Sequence, residues 1–137
     1  MDDERLVELA FEARKRSYAP YSHWTVGAAL LATDGTVYQG CNIENAAYSP
    51  SNCAERTAFH RAVFDGCRSF EAIAVVGGPQ GQEASDFCAP CGVCRQVMQE
   101  FCDPATFRIV LGRSDGQRKT YRLGQLMPEG FGPDKLL

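Results

Sequence analysis

The stretch that decides the fold and chemistry of this chain is Asn52-Cys53-Ala54-Glu55-Arg56. The residues after it carry apolar side chains at a helical spacing, at Ala54, Ala58, Phe59, Ala62 and Val63. This spacing predicts a helix with Cys53 in its first turn. Residues two apart on a helix lie roughly 200° apart around its axis. Glu55 therefore need not bind whatever Cys53 binds, and it is free for another role beside it.

A second cysteine stretch, Pro90-Cys91-Gly92-Val93-Cys94, reads as another helix start. Pro90 suits the position before or at a helix start, and Cys91 and Cys94, three apart, share one helix face. Helix N-termini stabilise thiolates through free N–H groups and a positive dipole end. Three thiolates from two helix starts suit Zn²⁺ with one coordination position open, as in catalytic zinc sites. We therefore expect one zinc ion held by Cys53, Cys91 and Cys94, with Glu55 next to the open position.

Cys88 offers a rival ligand, because it lies three residues before Cys91. Four thiolates would close the coordination sphere and make the zinc purely structural. Pro90 opposes this, since a proline disfavours helical backbone in the residue before it, so Cys88 and Cys91 would not share a helical face. A closed site would also leave Glu55 without a role.

The rest of the chain alternates strands and helices. The predicted elements are a helix over 3–17, strands over 24–32 and 36–40 joined by an Asp-Gly turn, the Cys53 helix to about 65, a strand over 72–76 stopped by Gly77-Gly78-Pro79, a helix from Cys91 to about 101, and strands over 107–111 and 119–123. This order predicts the α/β class, with a single sheet covered by helices in an α/β/α sandwich. We expect one domain over residues 1–137, long enough to bury roughly two thirds of its unfolded surface.

Composition excludes several classes of protein. The net charge is −3 with no basic run, so the electrostatic attraction that dominates nucleic-acid binding is missing. No apolar run approaches the ~20 residues of a membrane span. The seven cysteines are an odd number and residues 1–5 lack signal-peptide character, which favours reduced thiols in the cytoplasm. A small-molecule substrate fits best.

Cys53-Ala54-Glu55 with Pro90-Cys91-Gly92-Val93-Cys94 also resembles the H-x-E and P-C-x-x-C pattern of zinc nucleobase deaminases, with cysteine as the first ligand. Further motifs extend the resemblance from about residue 14 to 136: Tyr21-Ser22, Val26-Gly27-Ala28-Ala29, Gly40-Cys41-Asn42-Ile43-Glu44-Asn45-Ala46, Arg56-Thr57-Ala58, Arg95-Gln96 and Phe131-Gly132-Pro133. Together they resemble the small homotetrameric, zinc-dependent cytidine deaminases of pyrimidine salvage. The resemblance implies a three-layer α/β/α sandwich with a mixed central sheet of about five strands.

The resemblance also implies an activity, namely hydrolytic deamination of cytidine and deoxycytidine to uridine and deoxyuridine with release of ammonia. One zinc ion per subunit is expected, with Glu55 as the catalytic proton carrier. Arg56 is expected to donate hydrogen bonds to the zinc-binding sulfurs; a solvent-facing arginine is the alternative.

Substrate-binding residues follow from the same resemblance. Asn42 and Glu44 match residues that hold the ribose 3′-hydroxyl, and in an extended segment they point the same way; on the residues alone, polar side chains that stabilise a turn are the alternative. Trp24 stands where the family usually has a phenylalanine that packs on the pyrimidine, and Ala54 is a further substrate-binding position. In homotetramers of this family, the residues matching Ala46, Tyr48 and Phe131 reach a neighbouring subunit's pocket.

Three other functions stay open on the sequence alone. A deaminase of a cytosine-nucleoside antibiotic resembling blasticidin S would share the metal site and fold. A non-catalytic zinc-stabilised domain would bind a partner and release no ammonia. A polynucleotide-editing deaminase is disfavoured by the acidity and shortness of the chain.

Overall fold

The computed structural model describes all residues, 1–137. Its helices are α1 (Asp3–Arg14), α2 (Ala54–Phe64), α3 (Gly92–Phe101) and the short α4 (Leu123–Leu126), and its strands are β1 (Trp24–Ala32), β2 (Val37–Cys41), β3 (Phe70–Pro79), β4 (Arg108–Gly112) and β5 (Arg118–Arg122). A 3₁₀ turn at Pro133–Lys135 follows near the C-terminus.

The five strands form one mixed sheet in the order β2-β1-β3-β4-β5. β1 is antiparallel to both β2 and β3, and β4 is antiparallel to β5. The central pair, β3 and β4, is parallel. Parallel neighbours need a crossover connection, and α3 supplies it. The predicted mixed sheet of about five strands is confirmed.

Two apolar cores lie on opposite faces of this sheet. Successive residues of β1 alternate between them, since Leu30 belongs to the core under α2 and α3 whereas Leu31 belongs to the core under α1. The first core contains Phe59 of α2, and the second contains Leu6 of α1. A strand that points alternate side chains to opposite faces is expected to be apolar throughout when both faces are covered. The three-layer α/β/α sandwich is therefore confirmed.

The structure differs from the sequence expectations mainly at element ends. α1 stops at Arg14 rather than residue 17, because Ser17 Oγ donates to Val26 O and Tyr18 N donates to Asn42 O, which draws the chain toward the sheet. β3 continues to Pro79 instead of stopping at the two glycines, since residues 77 and 78 still pair with β1. α4 and the 3₁₀ turn are too short to give a periodic signal and were not predicted.

A membrane span is also absent from the helices. None of them combines the length and the apolar composition that crossing a bilayer would require.

Candidate active site

Two helix starts bring the cysteine motifs together. Cys53 and Cys91 are the N-cap residues of α2 and α3. The expectation that Cys53 lies in the first turn of its helix, and that Cys91 lies within the next, was wrong by one position. Neither cap side chain accepts a hydrogen bond from the backbone N–H groups of its own helix, so the positive ends of both helices face the sulfur cluster without a capping group.

Gly40 of β2 allows α2 to lie close to the sheet. A Cβ at this position would lie 2.4 Å from Ala54 O and 2.5 Å from Ala58 N. Only a residue without a side chain permits this approach, and the approach sets the position of the first turn of α2. The strand therefore helps to locate Cys53 and Glu55.

The three predicted ligand sulfurs form a compact cluster. Cys53 Sγ lies 3.9 Å from Cys91 Sγ, and Cys91 Sγ lies 3.5 Å from Cys94 Sγ. All three sulfurs fall within 4.8 Å of one another. Tetrahedral zinc with Zn–S bonds of about 2.3 Å requires S···S separations of about 3.8 Å. The donor set and its spacing therefore fit a zinc ion.

Cys88 lies outside this cluster. The group of possible ligand atoms contains the sulfurs of Cys53, Cys91 and Cys94 alone. Cys88 instead packs over Gly77, where an added Cβ would lie 2.8 Å from the Cys88 sulfur. Burial raises the pKa of the Cys88 thiol. This geometry favours three protein ligands over four.

Arg56 lies against the sulfur cluster, not in solvent. Its Nη2 donates to Cys53 Sγ at 3.2 Å, and its Nε is buried without a partner. The neighbouring Cys94 thiol, together with the Arg56 guanidinium, lowers the pKa of Cys53 to about 5. The interaction with Cys53, together with burial, raises the pKa of Cys94. The site therefore favours the thiolate form of Cys53.

Glu55 is buried at the floor of a cleft, with only 4% of its surface exposed. Burial raises its pKa to about 7, and the negative charge of Cys53 adds to the rise. A carboxyl group whose pKa lies near neutrality can both accept and donate a proton at physiological pH. This is the behaviour required of a residue that moves protons in both directions.

The cleft has a volume of about 580 Å³ and is lined by both predicted and unpredicted residues. Its predicted lining residues are Trp24, Asn42, Glu44, Tyr48, Cys53, Ala54, Glu55, Arg56 and Cys91. Cys94 is buried, and it does not line the cleft; nor do Ala46 and Phe131. Tyr48, expected at a neighbour's pocket, lies at the cleft of its own chain. Ser22 and Asn52 also line it, and only their positions within the quoted motifs could have indicated this.

Asn42 and Glu44 are held by hydrogen bonds within the chain. Asn42 Oδ1 accepts from Val26 N at 2.9 Å, and its Nδ2 donates to Trp24 O at 2.8 Å. Glu44 accepts hydrogen bonds from the backbone N–H groups of Tyr21 and Ser22 and from the Ser22 hydroxyl. These bonds lower the pKa of Glu44, the Ser22 hydroxyl contributing most. Both side chains thus fix the backbone on either side of Trp24 while facing the cleft.

Sulfur ligands on two helix starts, a buried carboxylate and an open cleft define the class of zinc-dependent hydrolytic deaminases. A family model described as the cytidine and deoxycytidylate deaminase zinc-binding region matches residues 1–110. A cytidine deaminase of Sporosarcina psychrophila is 48% identical over 136 residues, covering 99% of this chain and 96% of the relative.

Solved structures agree with the sequence comparison. A crystal structure of cytidine deaminase from Burkholderia pseudomallei has a TM-score of 0.87 at 47% identity, covering 96% of this chain and all of that one. The Mycobacterium tuberculosis cytidine deaminase has a TM-score of 0.79 at 34% identity, covering 96% of this chain and 98% of that one. The chain belongs to the cytidine and deoxycytidylate deaminase family.

Proposed function

We propose that this protein catalyses the hydrolytic deamination of cytidine and deoxycytidine to uridine and deoxyuridine, releasing ammonia. The observation that carries the proposal is the placement of Glu55, buried beside three sulfurs at zinc spacing in a cleft of about 580 Å³. The relatives described above are named cytidine deaminases, and the matches to this chain cover nearly their whole length. They support the same reaction.

Cys53, Cys91 and Cys94 would hold the metal. Bound zinc supplies a Lewis acid that lowers the pKa of a coordinated water toward ~7, so that a nucleophile is available at neutral pH. Arg56 and the helix-start N–H groups withdraw charge from the sulfurs, which otherwise weaken the metal as an electrophile. The contact from Arg56 to Cys53 supports this role.

Glu55 carries the protons. It accepts one from the attacking water and delivers it to N3 of the pyrimidine as the new C–O bond forms at C4. It then takes the remaining hydroxyl proton and donates it to the amino group, so that the C4–N bond breaks and ammonia leaves. One residue can serve all these transfers only if it lies within ~3 Å of both water and ring.

The remaining cleft residues would hold the nucleoside. Trp24 offers an aromatic surface to the base, and Ala54 lies at the start of α2 near the metal ligands. Asn42 and Glu44 would hold the sugar hydroxyls. Their observed hydrogen bonds leave one Nδ2 proton of Asn42 and one lone pair on Oε2 of Glu44 for a ligand. Hence we expect each of these two residues to hold the backbone near Trp24 and also to bind the substrate.

A homotetramer with shared sites is part of the proposal, with each chain folded as a single domain over residues 1–137. Phe131 is 56% exposed and Tyr48 is 74% exposed. Large exposed aromatic groups of this kind suit burial against another subunit. The seven cysteines are all unpaired, which supports a reducing compartment, the cytoplasm.

Ultraviolet absorbance of cytidine incubated with zinc-loaded protein tests this function. We expect absorbance to fall as uridine forms, with one ammonia released for each cytidine lost. Blasticidin S and single-stranded DNA and RNA serve as comparison substrates, and we expect slower or no turnover with each. If ammonia is released from none of the cytosine compounds, the chain is not a deaminase. Faster turnover of blasticidin S would reassign the substrate, although the comparisons do not favour that alternative.

A further inference from the structure

Arg95, a residue of α3, hydrogen-bonds two backbone segments that are far apart in the sequence. Arg95 Nε donates to Pro90 O at 2.8 Å, and Arg95 Nη1 donates to Leu126 O at 3.0 Å. The backbone N–H of Arg95 also donates to Cys91 O at 3.0 Å. Arg95 thus fixes the carbonyl groups on both sides of the Cys91 Cα, and thereby the backbone that aims its sulfur.

Helix α3 also holds the segment 126–132, here called the C-terminal strap. Gln96 Nε2 donates to Phe131 O at 2.8 Å. Gly130 lies so close to α3 that an added Cβ would stand 2.7 Å from Gln99 Oε1. That oxygen is buried without a hydrogen-bond partner. Gln99 Oε1 therefore makes no hydrogen bond to the strap. The polar contacts between α3 and the strap are the bonds from Arg95 to Leu126 O and from Gln96 to Phe131 O.

Arginine is suited to this double role. Its planar guanidinium carries donors on different nitrogens in a fixed fork, so it can bind two carbonyls at once. A lysine would keep the charge, but its ammonium is a compact group on a flexible stem. The two backbone segments that Arg95 joins are far apart in sequence, and one carries a metal ligand while the other carries Phe131.

We propose that Arg95 is a positioning residue that couples retention of the metal to the position of the C-terminal strap. The proposal rests on the proposed function, because it takes Cys91 to be a zinc ligand. A metal bound to Cys91 would restrict the backbone around Cys91. Because Arg95 bonds both to Pro90 O and to Leu126 O, this restriction extends to the backbone of Leu126. By linkage, the strap stabilises the metal site to the same extent that the metal stabilises the strap.

Zinc release to a colorimetric chelator tests the first half of this coupling. Arg95→Met keeps the apolar stem and removes both side-chain bonds, so release should be roughly 10- to 100-fold faster, as for other residues that orient metal ligands. Arg95→Lys should fall between this variant and the wild type. Arg68→Met is the matched control, since Arg68 is exposed, and it should release zinc at the wild-type rate. Wild-type release from Arg95→Met would overturn the proposal.

Hydrogen exchange of residues 126–132 tests the reverse direction in the unaltered protein. Removing zinc should speed exchange in the strap and leave residues 114–117, in the β4–β5 turn, unchanged. Sedimentation checks that both forms have the same oligomeric state. Unchanged exchange in the strap on zinc removal would contradict the coupling, even if Arg95→Met does not fold.

Failure of the inference and failure of the proposed function give different results. If Cys91→Ser keeps one zinc per chain, the ligand assignment itself is wrong. If Cys91→Ser loses zinc while the Arg95 variants retain it normally, only the coupling is wrong.

Discussion

Arg56 is the residue that we propose adjusts the charge of the sulfur cluster. Its hydrogen bond to Cys53 and its unpartnered buried Nε place the guanidinium at the metal site. We expect Arg56→Ala to lower kcat roughly 10- to 100-fold, because the sulfurs would then donate more charge to the metal. Zinc content measured at saturating metal should stay near one per chain. Unchanged kcat and zinc content would mean that Arg56 has no role in the chemistry, and Arg68→Ala provides the exposed control.

Cys88 lines the cleft but stands outside the sulfur cluster. Cys88→Ser should therefore keep stoichiometric zinc, because the three remaining sulfurs are untouched. Metal analysis after dialysis measures this, with Cys94→Ser as the control that should lose the ion. Loss of zinc from Cys88→Ser would instead indicate a closed, four-sulfur site.

The sequence predicted the metal-site residues more fully than the residues around the sugar. Cys53, Glu55 and Cys91 lie in short motifs at helix starts, and the residue types and spacing within each motif were enough to predict a metal site. Asn42 directly follows β2, and its side-chain bonds to the backbone of Val26 and Trp24 connect it to the start of β1. No local pattern encodes such a contact, so the sequence could not show that Asn42 also fixes the start of β1.

At the scale of elements, the close packing of α2 on β2 decides where the first turn of α2 lies. Gly40→Ala would place a methyl group 2.4 Å from Ala54 O, forcing the helix to move. We expect a loss of about 1–3 kcal/mol in the free energy of unfolding, with a fall in kcat as Glu55 shifts. Chemical denaturation measures the first effect.

Gly92→Ala is the matched control, because no atom lies within 4 Å of a Cβ added at Gly92. Its free energy of unfolding should be equal to or above that of the wild type, since alanine favours helix. Equal stability of the Gly40 and Gly92 variants would show that the approach of α2 to β2 is not a constraint.

The helices and strands with strong periodicity were predicted, and their ends were not. β3 continues through Gly77 and Gly78 because β1 pairs with both, and sheet pairing overrides the preference of glycine for turns. α1 ends early because Ser17 and Tyr18 bond to other parts of the chain. Such long-range contacts are invisible to a scan of local residue patterns.

At the scale of the whole molecule, the alternation of strands and helices was sufficient to predict the sandwich. The oligomeric state could not be predicted in this way, because an exposed side chain such as Phe131 does not indicate which surface would cover it. We expect sedimentation to give a tetramer. Phe131→Ala should raise KM and leave zinc content unchanged, since the ring is proposed to reach a neighbour's pocket. A stable, fully active monomer would contradict the shared sites.

The measurement that tests the central claim most directly is the parallel determination of zinc content and cytidine turnover for Glu55→Gln. Glutamine keeps the shape of Glu55 and cannot take up a proton, and Glu55 is not among the sulfur ligands. We predict one zinc per chain and a loss of turnover of at least roughly 10²–10⁴-fold. Near-native turnover, or loss of the metal, would contradict the assignment of Glu55 as the proton carrier beside an open zinc site.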